Sequence, residues 1–332
     1  MRTIDIHAHM FPRALWNAVD AKKDWYGYCH APGPGMGFVE ARGKKTTLPT
    51  PKMRYTPEER IKDMDAQGTD VQVLSIHVPF AGYDLPADQG RALAREVNDE
   101  IAGTVREFPK RFSGLATLPM QDVTSAIDEL ERAVTRLGLK GAELDTNVNG
   151  EQWDEAKYRP FFKAAEQMGA VLFYHPQPQN NFLRDRVPRY RLFNSLGVIL
   201  DDAIVAAVLI CGGVLQDCPD LKVCIAHGGG PLCYAMGRMD REWERTPPDQ
   251  RSTPKKPSEY QRQLYYDTVT GNEEALRFLL DRVGADRVVL GSDWPFVHFE
   301  PGPAGWVQAM KSVSQEEKEK ILSKNLETLL GL

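Results

Sequence analysis

Two histidines one residue apart, His7 and His9, close an apolar run that begins almost at the first residue, Arg2-Thr-Ile-Asp-Ile-His-Ala-His-Met-Phe-Pro. On a strand, side chains at i and i+2 share a face, so both imidazoles point the same way from the strand's C-terminal end. Neutral imidazole is a common ligand for zinc and related metals, and the pair reads as half of a metal site. Other groups of ligating type close further β-rich runs: His175 in Leu172-Phe-Tyr-His-Pro, His227 in Cys224-Ile-Ala-His-Gly-Gly-Gly and Asp293 in Val289-Leu-Gly-Ser-Asp-Trp-Pro. Three imidazoles and a carboxylate make a shell for zinc or a similar divalent ion, with a position left for water. Such an ion lowers the pKa of that water and supplies hydroxide near neutral pH. A histidine left off the metal could move protons, and these residues alone do not say which one that is. A lone strand-end histidine is more often structural than catalytic. Metal-competent residues at matching ends of several strands have no comparably simple structural explanation.

Elements able to gather these groups run along the whole chain. Strands are predicted near Thr3–Ile6, Val71–Ile76, Phe112–Leu118, Gly141–Leu144, Val171–Tyr174, Lys222–Ala226, Leu264–Asp267 and Arg287–Leu290. Helix-like segments lie between them at Pro57–Gln67, Gln89–Glu107, Val123–Arg136, Arg159–Met168, Leu196–Val214, Gly230–Trp243, Glu273–Val283 and Gln315–Leu329. Alternating βα units imply parallel strands with helical crossovers. The rival arrangement, a doubly wound open sheet, collects its functional residues at one topological switch point. Here they sit at the ends of strands spread from one terminus to the other. The expected fold class is therefore α/β, a (β/α)8 TIM barrel, whose C-terminal mouth receives all of these groups. One domain spanning 1–332 is expected, with a lid-like insertion at about 16–55 after the first strand, far longer than the usual βα loop of about 2–6 residues. A polar, proline-rich connection, Thr246–Glu259, precedes the seventh strand, and no internal repeat is present.

Composition narrows the function classes. The 332 residues are 42% hydrophobic and 26% charged, ordinary for a globular protein, and a net charge of −5 gives no electrostatic case for nucleic acid. The longest apolar stretch, Ala203–Leu215, follows Asp201-Asp202, contains Gly212-Gly213, and reads as a buried helix rather than a membrane span. No signal peptide is evident at the N-terminus. The five cysteines, Cys29, Cys211, Cys218, Cys224 and Cys233, form no Cys-x-x-Cys pair. Reduced thiols and a cytoplasmic location are expected.

The set His-x-His, His-Pro, His-Gly-Gly-Gly and Gly-Ser-Asp-x-Pro-Phe resembles the amidohydrolase superfamily, and more narrowly the branch around 2-amino-3-carboxymuconate-6-semialdehyde decarboxylase. The likeness runs nearly end to end and includes Arg60-Ile … Met64-Asp-Ala-Gln-Gly-Thr-Asp-Val-Gln-Val, Asp220-Leu-Lys-Val-Cys-Ile-Ala-His-Gly-Gly-Gly and Gly237-Arg-Met-Asp. The resemblance implies one divalent metal, zinc with manganese as the alternative, bound by His7, His9, His175 and Asp293. It casts His227 as the unliganded acid/base. It also implies that Arg238 binds a substrate carboxylate across a homodimer interface, a task suited to the bidentate guanidinium. The family's other carboxylate-binding arginine falls near Leu48 in this chain; Arg42, Lys44 and Arg54 are close but out of register. The substrate is accordingly expected to differ from the carboxymuconate semialdehyde.

Other residues admit two readings. Trp294 and Phe296, beside the metal aspartate, are expected to line an apolar pocket for an aromatic substrate. Trp25, Tyr26, Tyr28 and His30 could form a lid or could simply anchor the insertion. Glu143 and Asp145 lie where some amidohydrolases carry a second-metal ligand, but Lys140 precedes the strand end, and one metal is expected. Adjacent strand residues face opposite ways, which argues against Cys29-His30 as a nucleophile pair. Gly228-Gly229-Gly230 lacks the phosphate-loop patterns and is expected to let backbone approach the metal site. The leading expectation is non-oxidative decarboxylation of an aromatic or unsaturated carboxylic acid, without an organic cofactor, nucleic acid or membrane partner. The alternative is hydrolysis of an amide, lactone or carbon–carbon bond by the same hydroxide.

Overall fold

The computed structural model describes residues 2–179, 181–297 and 299–332. Its strands are β1 (Ile4–Met10), β2 (Cys29–Ala31), β3 (Phe38–Ala41), β4 (Lys44–Thr47), β5 (Val71–Ile76), β6 (Phe112–Gly114), β7 (Gly141–Leu144), β8 (Val171–Tyr174), β9 (Lys222–Ile225), β10 (Leu264–Asp267) and β11 (Val288–Val289). Two parallel ladders, β1-β5-β6 and β11-β10-β9-β8-β7, carry the barrel. Single bridges join them into a closed cylinder, Ala116 to Ala142 on one side and Ala8 to Trp294 on the other. The sixth and eleventh strands are shorter than the predicted runs because the chain changes partner there. Leu115 donates to Leu74 of β5 while the next N–H, of Ala116, donates to Gly141 of β7. The expected barrel is thus the observed one.

Side-chain parity separates two apolar layers. Ile4, Ile6, Val71, Val73, Val171, Phe173, Cys224 and Ala226 fill the lumen, while Leu74, Ile76, Leu172, Tyr174, Val223 and Ile225 pack outward against the helices. The C-terminal helix Asn325–Leu330 closes the bottom through Leu326, Leu329 and Leu330. Local signals set the helix starts: Thr56 and Glu59 form a reciprocal capping box before Pro57–Ala66, and Asp122 caps Val123–Thr135. Each such cap is worth about 1 kcal/mol.

The insertion contributes a small antiparallel sheet, β2-β3-β4. Trp25 and Tyr28 are buried, and Tyr28 packs on Phe80 and donates from its hydroxyl to the Pro79 carbonyl. These aromatics therefore anchor the insertion to the barrel. By length and composition the helical run Phe193–Cys211 could cross a membrane. Here Val205, Ala206, Leu209 and Ile210 are buried in the core, and the run packs against the turn after β9 and the helix Leu232–Arg245.

Candidate metal centre

A bulge prepares the first two ligands. The β1–β5 register shifts between Asp5 and Ala8. Ile4 and Ile6 face the lumen below the shift, and His7 and His9 face it above. A bulge leaves a backbone group without a ladder partner, and here the His7 N–H donates to Asp5 Oδ1 at 3.0 Å. Asp5 also accepts from the Ser292 N–H at 3.0 Å and the Ser292 hydroxyl at 2.6 Å, tying β1 to the loop that carries Asp293. Burial pushes the Asp5 carboxyl up to about 6, against the opposing pull of these donors. Arg60 completes the support, donating to the His9 carbonyl at 2.7 Å and to Gln72 at 2.7 Å.

Above this floor four side chains converge. One ligand atom from each of His7, His9, His175 and Asp293 lies within 4.8 Å of the others. His7 Nε2 and His9 Nε2 stand 3.3 and 3.1 Å from the same oxygen, Asp293 Oδ1. Donors bound at about 2.0–2.2 Å around a tetrahedral ion lie roughly 3.4 Å apart, so the spacing suits one transition-metal cation. His7 Nε2 and both nitrogens of His175 are buried without a hydrogen-bond partner. Buried polar atoms are nearly always paired, and unpaired imidazole nitrogens crowded around a carboxylate fit a bound cation.

A carboxylate aims His7. Its Nδ1 lies 2.6 Å from Asp267 Oδ2, a partner that fixes the ring so that Nε2 faces the cluster. His9 Nδ1 and Glu143 Oε1 stand 3.6 Å apart and are not hydrogen-bonded to each other. Asp267 also accepts from the Gly228 N–H at 3.0 Å, linking His7 to the glycine turn after β9. At Gly230, with φ of +53°, a side chain would collide with the Ile199 carbonyl, so this turn requires glycine. Burial works against charge throughout the cluster. Even so, the Asp293 and Asp267 carboxylates raise the pKa of His7, and the His7 and His9 imidazoles hold Asp293 well below the usual carboxylate range. For His175 burial wins, and its pKa falls well below the ordinary histidine value.

His227 stands beside this cluster. Its ring lies 5.3 Å from His7 and 5.1 Å from His175, and its backbone is left-handed, with φ of +49°. Nδ1 is 2.9 Å from Oδ2 of Asp202, an acid with no solvent exposure on the helix Val198–Cys211. Burial opposes the imidazolium, but the Asp202 carboxylate outweighs it and raises the pKa of His227. Asp202 is itself pushed up to about 7 by burial, with His227 pulling the other way.

The cluster opens into a cavity of about 1050 Å³ that also exposes His77, Phe296, Lys45, Arg184 and Arg191. From the insertion, β4 and Pro49 reach this cavity, whereas Trp25 and Tyr28 do not. Of the predicted pocket residues, Phe296 lines it, but Trp294 requires correction. Its indole N–H donates to Asp63 at 2.7 Å, and the Arg60 guanidinium stacks 3.9 Å from its ring, so the side chain is held on the far side of the rim. Arg238 is exposed and lines a separate cavity of about 480 Å³ with Trp243 and Arg251, outside the metal pocket. Leu48 is fully buried. Glu143 lies behind His9 at 3.6 Å, beyond hydrogen-bond reach, Asp145 accepts from the Thr146 N–H at 2.7 Å, and Lys140 reaches the Gly331 carbonyl. Cys29 and His30 lie in the insertion sheet, where His30 Nε2 meets the Met36 carbonyl.

Three polar groups escaped the sequence reading. Asp267 ends a strand that was predicted, and Asp202 interrupts an apolar helix. His77 follows a strand directly, the same signal that exposed His175 and His227.

The amidohydrolase family profile matches residues 4–332. The 2-amino-3-carboxymuconate-6-semialdehyde decarboxylase of Dictyostelium discoideum is 34% identical over 99% of this chain and 91% of its own. The gamma-resorcylate decarboxylase of Rhizobium sp. (strain MTP-10005) is 30% identical over 83% of this chain and 87% of its own. Among solved structures, a dihydroxybenzoic acid decarboxylase from Polaromonas sp. JS666, with bound manganese and the inhibitor 2-nitroresorcinol, superposes with a TM-score of 0.79 at 24% identity, covering 100% of this chain and 97% of that one.

Proposed function

Because this chain belongs to the amidohydrolase family, we propose that its metal centre serves the non-oxidative decarboxylation of an aromatic or unsaturated carboxylic acid. The observation that carries the reading is the His227–Asp202 pair, held beside the four-donor cluster rather than within it. Replacing a carboxylate by hydrogen requires one proton at the carbon that loses it. His227 delivers that proton, the electrons of the broken carbon–carbon bond stay with the ring, and carbon dioxide leaves. Asp202 orients the imidazole and favours its protonated form. His7, His9, His175 and Asp293 would hold a divalent ion, which would supply Lewis acidity. Three imidazoles and one carboxylate suit zinc, manganese accepts the same donors, and manganese is the ion in the Polaromonas relative.

The cavity fits such a substrate. Phe296 offers an aromatic wall, and Lys45, Arg184 and Arg191 would draw a carboxylate into the cavity beside the four donors. Arg238 is assigned to a neighbouring subunit's substrate in a cytoplasmic homodimer. In support, Arg238 is exposed, and the nearby Tyr234 and Ile204 are exposed apolar groups at 84% and 42%. All five cysteines are free thiols, as a reducing compartment favours.

Trapping of carbon dioxide from a panel of hydroxybenzoic and unsaturated acids tests the proposal. The expected result is carbon dioxide plus one organic product, lost on chelation and restored by zinc or manganese. Two organic fragments without carbon dioxide would establish hydrolysis and overturn it.

A further inference from the structure

His77 has no part in the chemistry above, although it borders the same cavity. The lumen-facing parity of β5 runs through Val71, Val73 and Ser75 to His77, which directly follows the strand. Its backbone N–H donates to the Met10 carbonyl at 3.1 Å, pinning it beside the end of β1. Three phenyl rings wall the imidazole: Phe296 at 4.8 Å, Phe11 at 5.3 Å and Phe80 at 5.7 Å between centroids, with the metal ligand His9 at 5.2 Å. Only 7% of the residue is exposed.

Nδ1 of this ring is buried without a hydrogen-bond partner. A neutral imidazole carries one N–H and one lone pair, and an N–H sealed among phenyl groups costs more than a lone pair left there. The favoured tautomer therefore keeps its proton on Nε2, the nitrogen not sealed in. A leucine or phenylalanine would fill this aromatic box equally well without a polar atom to satisfy. Retaining an imidazole makes physical sense if a ligand in the cavity uses its hydrogen bond.

We infer that His77 is a specificity-determining residue that donates a hydrogen bond to an oxygen substituent, hydroxyl or enol, on the substrate beside the carboxylate that leaves. The inference rests on the decarboxylase reading and deepens it to acids bearing such an oxygen. It also gives the residue a physical purpose, because protonating the ring carbon draws electron density from that oxygen, where a fixed donor controls orientation. A site built to bond a substrate oxygen discriminates strongly against analogues that lack it.

The test uses the manganese-loaded full chain and two unreactive probes, 2-nitroresorcinol with hydroxyls and nitrobenzene without them. The wild type is expected to favour 2-nitroresorcinol. His77→Leu should cut that preference about tenfold, leaving nitrobenzene affinity and metal content unchanged. His77→Asn, which keeps an N–H donor, should restore part of it, and it provides the comparison should the leucine variant not fold. A preference unchanged within about twofold in the variants overturns the inference alone. If the metal-loaded wild type binds neither probe, the decarboxylase reading falls and takes the inference with it.

Discussion

His227 lies just past the end of β9, after Ala226, and His77 directly follows β5; both rings border one cavity, yet their surroundings are opposite. His227 has the Asp202 carboxylate at 2.9 Å and an elevated pKa. His77 is packed among phenyl rings, and burial drives its pKa well below the ordinary value, with His9 adding to the effect. On the reading proposed here, comparable positions on the scaffold give a proton carrier in one place and a fixed neutral donor in the other. What differs is the surroundings: an acid supplied by a helix behind β9, and phenylalanines supplied by the segments that follow β1, β5 and β11.

The sharpest way to break this contrast is to remove the proton carrier. His227→Asn should lower turnover by about 10²–10⁴ while metal content, read by elemental analysis, stays at the wild-type level. Loss of the metal would instead mean that His227 is a ligand and that the four-donor assignment is wrong. A milder change makes the β9 end resemble the β5 end. Asp202→Asn leaves the hydrogen-bond shape and removes the charge. Because Asp202 raises the pKa of His227, the wild-type enzyme keeps its imidazolium to higher pH, and activity falls as pH rises through that elevated value. Without the carboxylate this alkaline limb should move to lower pH, with turnover at neutral pH reduced about tenfold. An unmoved limb in the pH profile of kcat would remove the pair from proton transfer.

The sequence discloses these two ends unequally. His7, His9, His175, His227 and Asp293 are legible because a barrel brings every strand's C-terminal end to one mouth, so a ligating residue just past an apolar run has only one place to go. The rule applied equally to His77 and Asp267, yet neither stands in a conspicuous motif. Asp202 is illegible for another reason: its role depends on how the helix Val198–Cys211 packs against the turn at His227, a tertiary relation that no local spacing records. The bulge between Asp5 and Ala8 is likewise invisible, although His7 and His9 owe their lumen-facing positions to it. Trp294 was misplaced because its partners, Asp63 and Arg60, come from a helix over two hundred positions earlier in the chain. Within the insertion the aromatic residues drew attention, whereas β4 supplies cavity-lining groups such as Lys45.

Phe296 offers the finest discrimination between the two ends. Its ring lies 4.8 Å from His77 and 5.7 Å from His9, and it lines the cavity wall. Phe296→Leu keeps the wall apolar while loosening the box that holds the His77 imidazole. If the β5 end works through shape and a fixed hydrogen bond, the cost should appear in binding: KM rising roughly fivefold, about 1 kcal/mol. The alkaline limb should stay in place, since Phe296 is neutral and His227 keeps Asp202. Steady-state kinetics across the pH range separate the outcomes. A shifted limb with unchanged KM would mean that the two ends of the cavity share one titration and that the division drawn between them is false.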